Sequence, residues 1–126
     1  MITSSPAETI AFAREFAAKL KPGTVIALSG DLGAGKTTFV KGFTGNATSP
    51  TFTIIHQYPG SIYHIDLYRL NSAQEAIDIG IEEYLPATDG ITLIEWAEKI
   101  TPLLPADTIH IQIAITGETT RQIEIK

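Results

Sequence analysis

The sequence predicts an α/β domain whose mostly parallel central sheet is flanked by helices and extended by an antiparallel C-terminal hairpin. Three observations carry that expectation. A short, β-branched apolar run from Thr24 to Ser29 leads into a glycine-rich turn and then a helix-forming stretch. Two further compact runs, Ile62 to Asp66 and Ile91 to Glu95, have the length of strands, and the second is apolar enough to be buried. Near the C-terminus Ile109, Ile111, Ile113 and Ile115 alternate with His110, Gln112 and Ala114, the two-residue period of a strand with one covered face.

Each element has its own local signals. In Ser5-Pro6-Ala7-Glu8, Ser5 is placed as N-cap, Pro6 in the first turn, and Glu8 to complete a capping box. Ile10, Ala13, Phe16, Ala17 and Leu20 follow at helical spacing, and Pro22-Gly23 ends that helix. After the 24–29 strand, Lys36-Thr37-Thr38-Phe39-Val40-Lys41 opens a second helix. Phe52 to Tyr58 and Ile62 to Asp66 are strands on either side of Pro59-Gly60. Ser72-Ala73-Gln74-Glu75 is a second capping box, starting a short helix to about Ile79. Trp96 to Ile100 is a helical turn stopped by Pro102, and Gly117 with Ile123 and Ile125 completes the hairpin.

Composition narrows the class. The chain has 126 residues, 44% of them hydrophobic, which suits one domain, 1–126, with a real core. No apolar run approaches the ~18 residues of a membrane helix, and Met1-Ile2-Thr3-Ser4-Ser5-Pro6 lacks the regions of a signal peptide. A cytoplasmic protein without membrane association is therefore expected. With no cysteine, disulfides, thiol catalysis and thiolate metal sites are excluded. Nine Lys and Arg against fourteen Asp and Glu leave a net charge of −5, which argues against a free-standing nucleic-acid binder.

The chemistry is carried by Gly30-Asp31-Leu32-Gly33-Ala34-Gly35-Lys36-Thr37, which matches the phosphate-binding pattern G-x-x-x-x-G-K-[ST] between a strand and a helix. The glycines allow positive φ, so that successive N–H groups converge on phosphate oxygens, and the helix N-terminus adds partial positive charge. Lys36 is suited to the β- and γ-phosphates, and the Thr37 hydroxyl to Mg²⁺. A merely structural β–α turn has no need of Lys36 and Thr37 together. The fold class is thus that of a single-domain P-loop NTPase.

Such a loop needs an acid at the end of a neighbouring strand to hold Mg²⁺ or its waters. Asp66 and Glu95 both qualify, and the residues alone leave open which binds the metal directly. Each faces the loop if its strand runs parallel to the first. Ser49-Pro50-Thr51-Phe52 lies where nucleotide hydrolases can carry a threonine that senses the γ-phosphate, or is simply a proline turn. His64 shares a strand face with Asp66 and either orients a water or the acid, or packs as an ordinary strand histidine. Trp96, beside Glu95, either lines the site or covers the core; His56 and His110 read as structural. No Asn-Lys-x-Asp string selects guanine, so ATP is the expected nucleotide. Only Arg14, Arg69 and Arg121 are available for the arginine-bearing lid of a small-molecule kinase, which weighs against that activity.

The phosphate loop, Ser49-Pro50-Thr51-Phe52-Thr53, His64-Ile65-Asp66-Leu67-Tyr68-Arg69-Leu70 and Ile94-Glu95-Trp96 together, in that order, resemble the TsaE family over nearly the whole chain. Members are small bacterial ATPases required for threonylcarbamoyladenosine in tRNA. The resemblance implies that Gly33, Ala34, Gly35, Lys36, Thr37 and Thr38 bind ATP, and that Thr37 and Glu95 hold Mg²⁺. It implies that Asp66 is the acid needed for hydrolysis, with Lys36 and Thr51 beside it in the catalytic set, Thr51 as the switch residue. It further implies two partner proteins, TsaB and TsaD, whose complex is reset by ATP hydrolysis, with tRNA left to those partners. Two segments, 41–49 and 57–63, are shorter than in typical relatives, so the helix after the loop must end near Gly42–Gly45. Glu118 and Arg121 compete for the place where some relatives put an arginine on the nucleotide.

Overall fold

Two serine caps set the register of two of the helices. Ser5 Oγ accepts from the Glu8 N–H at 3.2 Å, and Ser72 Oγ accepts from the Glu75 N–H at the same distance. In both boxes the return arm reaches one residue further than expected: Glu8 accepts from the Ser4 N–H and Glu75 from the Asn71 N–H. Each cap contributes about 1 kcal/mol.

The computed structural model describes residues 1–31, 33–45 and 54–126. In chain order the elements are β1 (Ile2–Thr3), α1 (Pro6–Ala18), β2 (Val25–Ser29), α2 (Lys36–Thr44), β3 (Ile55–Tyr58), β4 (Ile62–Asp66), α3 (Ala73–Asp78), β5 (Ile91–Glu95), β6 (Ile109–Ile115) and β7 (Arg121–Ile125). Short 3₁₀ segments cover Ile81–Tyr84 and Ala97–Leu103. The second breaks at Ile100 and continues through Pro102, where a helical turn stopping at Pro102 was expected. Proline is tolerated there because it falls in the first turn after the break, where its missing N–H would have no partner.

The seven strands form one sheet in the order β1-β7-β6-β2-β5-β4-β3. The central four, β6-β2-β5-β4, are parallel, while β3 runs antiparallel to β4, and β7 to both β6 and β1. The two-residue β1, for which the sequence offered no signal, is held by pairing with β7 and by the Ile123 N–H donating to the Met1 carbonyl at 2.7 Å. Of the expected 52–58 strand, Ile55–Tyr58 is present, and residues 52 and 53 lie outside the described residues.

Alternation along the buried strands sorts the core into two layers. Ile26, Leu28, Leu93, Ile111 and Ile113 pack with Phe39 and Val40 of α2 and Ala13 of α1. Val25, Ala27, Ile65 and Ile94 pack on the opposite face with Leu67, Ile81 and Ile100. That two-sided burial is why β2 and β5 read as continuous apolar runs. The isoleucine alternation of β6 leaves the core at its last member, since Ile115 is half exposed. Helix α2 ends at Gly45, whose φ of 78° and N–H to the Lys41 carbonyl close the last turn. Among the described residues no helix is long and apolar enough to cross a membrane. Burial, reinforced by the Asp89 carboxylate that accepts from it, pushes the Tyr63 hydroxyl above its ordinary range.

Candidate functional site

The phosphate loop joins the C-terminal end of β2 to the N-terminus of α2. Gly33 and Gly35 sit at φ 83° and 103°, backbone that disfavours any other residue. Gly30 is required for space as well: a Cβ there would collide with the Ile113 carbonyl oxygen. Helix α2 starts at Lys36 with Gly35 as N-cap and no side chain capping its first N–H groups, which is the condition for receiving an anion there.

Parallel pairing brings the two candidate acids to this end. Leu28 of β2 pairs with Glu95 of β5, and Glu95 pairs with Asp66 of β4. The registered carboxylates therefore stand side by side on the α2 face. Lys36, Thr37, Asp66, Glu95, Gly33 and Trp96 all line one open cleft of about 870 Å³.

Glu95 is the most connected of these groups. Its Oε2 lies 2.6 Å from Nε2 of His64, and its Oε1 lies 3.9 Å from Nζ of Lys36, an ion pair beyond hydrogen-bond reach. A lysine such as Lys36 is ordinarily solvent-exposed. Instead the side chain is only 8% exposed, because it folds back toward Glu95 and places Nζ 5.0 Å from the centre of the Trp96 ring. Trp96 holds a left-handed backbone (φ 63°), and its ring also packs against Tyr68, centroids 5.4 Å apart. Lys99 secures this aromatic pair by donating to the Tyr68 and Leu70 carbonyls at 2.6 and 2.8 Å. Asp66 is half-buried, and its Oδ1 accepts from the Tyr68 N–H at 3.0 Å.

Thr51 lies outside the described residues, as does the whole 46–53 segment. His56 stacks on Tyr58 at 4.5 Å between centroids, away from the cleft, and His110 is exposed on β6. Arg121 has a role that the sequence did not reveal. Its Nε donates to the Ala34 carbonyl at 3.1 Å and its Nη2 to the Gly33 carbonyl at 3.4 Å, while Nη1 donates to the Gly117 and Thr120 carbonyls. The guanidinium thus ties the β6–β7 turn to the phosphate loop. A smaller cavity of about 150 Å³ lies beside it, lined by Ser5, Thr9, Thr38 and Glu118 among others. Hairpin register sets Arg121 opposite Ile115 at the strand end, whereas the family resemblance offered it, in competition with Glu118, as a nucleotide contact.

A family model described as threonylcarbamoyl adenosine biosynthesis protein TsaE matches residues 3–123. The chain belongs to the TsaE family. The TsaE protein of Bacillus subtilis is 45% identical over 130 residues, an alignment covering 96% of this chain and 80% of the relative. The TsaE protein of Rickettsia bellii is 42% identical, covering 98% of this chain and 92% of the relative. A crystal structure of Bacillus subtilis YdiB superposes with a TM-score of 0.78 at 42% identity, covering 98% of this chain and 80% of that one. Membership of the TsaE family ties the chain to biosynthesis of threonylcarbamoyladenosine in tRNA. The structural match agrees with the α/β fold that the sequence predicted.

Proposed function

We propose that this protein is the ATPase subunit of tRNA threonylcarbamoyladenosine synthesis. In this reading it binds Mg-ATP in the cleft and uses hydrolysis to reset a complex of TsaB and TsaD in the cytoplasm. One observation carries the proposal: Lys36, Thr37, Asp66 and Glu95 open on a single cleft at the C-terminal ends of parallel strands. Family membership supplies the pathway.

The roles follow from chemistry. Backbone N–H groups from Gly33 to Thr38, with the start of α2, receive the phosphates, and Lys36 turns from Glu95 toward the β- and γ-oxygens. The donors suit magnesium, since the Thr37 hydroxyl and the Glu95 carboxylate are hard oxygen ligands. Among the described residues no three acidic or histidine side chains gather as a metal cage. That fits an ion which takes most of its ligands from phosphate and water. Magnesium would neutralise developing charge on the phosphates, Asp66 would orient the attacking water, and Thr51 would sense the γ-phosphate.

The test is steady-state phosphate release by the purified chain at saturating ATP, titrated with the TsaB–TsaD complex. Slow release alone and acceleration by the partners are expected, because among the described residues no arginine lines the cleft, and Arg121 is committed to loop carbonyls. Fingers supplied in trans can contribute ~10³–10⁵ in rate. A flat titration with active partners would reject the coupling, and absence of ATP binding would reject the reading itself.

A further inference from the structure

We propose that His64 is a positioning residue that grips one oxygen of Glu95 and leaves the other for the magnesium ion of bound nucleotide. The inference rests on the Mg-ATP reading above and adds to it the residue that sets how strongly the metal contributes to nucleotide affinity.

His64 lies on β4 two residues before Asp66, on the same face, and is fully buried. It pairs in register with Leu93, so its ring reaches one step diagonally along β5 to Glu95. At 2.6 Å a hydrogen lies between Nε2 and Oε2, and we assign it to Nε2, the arrangement that leaves Glu95 a carboxylate able to bind a cation. The other ring nitrogen, Nδ1, is buried with no hydrogen-bond partner among the described residues. A residue selected only to fill this space would be apolar and would avoid that cost, about 1–3 kcal/mol for a stranded buried polar atom. The polar chemistry of the ring is directed at Glu95.

Glu95 in turn has two oxygens with separate partners, Oε2 on His64 and Oε1 on the Lys36 side. The Lys36 contact is the weaker one, at 3.9 Å and without a hydrogen bond. When phosphates draw Lys36 away, Oε1 loses its cation while His64 still holds Oε2. The carboxylate then offers a single oxygen in a fixed orientation. That suits magnesium, which keeps several waters and demands octahedral geometry. Partners that orient a metal-binding carboxylate typically change metal affinity by about 10–100-fold.

The test compares His64→Gln with His64→Met. The two replacements have nearly the same length and volume, but only glutamine can place a donor where Nε2 stands. Nucleotide affinity is measured by calorimetry with Mg²⁺ and with EDTA, and the ratio of the two is read. Wild type and His64→Gln are expected to keep the Mg²⁺ gain, and His64→Met to lose about tenfold of it with its EDTA affinity unchanged. Should His64→Met not fold, His64→Asn, whose amide stops short of Glu95, replaces it with the same expected loss. A donorless variant that keeps the full Mg²⁺ gain would overturn the inference, and so would equal losses in Mg²⁺ and EDTA, which mark a structural role. A wild type with no Mg²⁺ gain at all would instead reject the Mg-ATP reading on which the inference stands.

Discussion

Lys36 lies against Glu95 and the face of Trp96, buried although lysine is ordinarily a solvated residue. At an effective dielectric near 20, charges about 4 Å apart attract by about 4 kcal/mol before desolvation is subtracted. The pair is thus strong enough to order the side chain and loose enough to be traded for phosphate. Lys36→Met keeps the aliphatic stem near Trp96 and removes the charge. ATP affinity should fall about 10–100-fold, the worth of a charge-assisted hydrogen bond at 1.5–3 kcal/mol. Calorimetry on protein with an unchanged far-UV spectrum checks it, and an unchanged affinity would remove Lys36 from the phosphate site. The neighbouring acids should separate by role. Asp66→Asn preserves the acceptor for the Tyr68 N–H, so the turn survives; turnover should drop with ATP still bound. Glu95→Gln should lower Mg²⁺-dependent affinity instead, and magnesium titrations of both variants that gave the reverse would exchange their assignments.

Among the elements, α1 packs on α2 with no room for a side chain at Gly42. A Cβ on Gly42 would collide with the Ala13 side chain and lie 2.7 Å from the Ile10 carbonyl and 2.9 Å from the Arg14 nitrogen. Alanine ordinarily favours a helix over glycine by up to ~1 kcal/mol, but overpacking typically costs about 1–3 kcal/mol. Gly42→Ala should therefore destabilise, lowering the denaturation midpoint; a midpoint that rises would show that the helices can separate cheaply. That glycine also marks the limit of what the sequence disclosed. Elements announced by local chemistry were legible: Ser5 and Ser72 cap where the pattern required, and β2 and β5 were readable because both faces are buried. The alignment of Asp66 with Glu95 followed once their strands were parallel. What stayed hidden was set by distant contacts. β1 exists only through β7, Arg121 reaches the loop across 87 positions, and Lys36 is buried by a tryptophan sixty residues later in sequence (96 − 36). None of these leaves a periodicity or a spacing to detect.

At the scale of the whole molecule, charge decides what the protein touches directly. The net charge is −5, and the cleft itself carries Asp31, Asp66, Glu95 and Glu98 on its lining. Of the nine basic residues, Lys36 is buried, and Lys99 and Arg121 are committed to backbone carbonyls. An acid-lined cleft attracts a metal ion but repels a polyphosphate that comes without one, and RNA binding needs several cations to release counterions together. A protein of tRNA modification built this way should leave tRNA to its partners. The isolated chain is expected to show no saturable binding of labelled tRNA by fluorescence anisotropy at ~50 mM salt, where electrostatic binding is strongest. Adding the partner complex should raise the anisotropy through the partners' own affinity, unchanged by Lys36→Met. A saturating titration by the chain alone, weakening steeply toward ~200 mM salt, would mean that the remaining cations form a footprint the net charge conceals. The tRNA itself would then belong among the direct ligands of this fold.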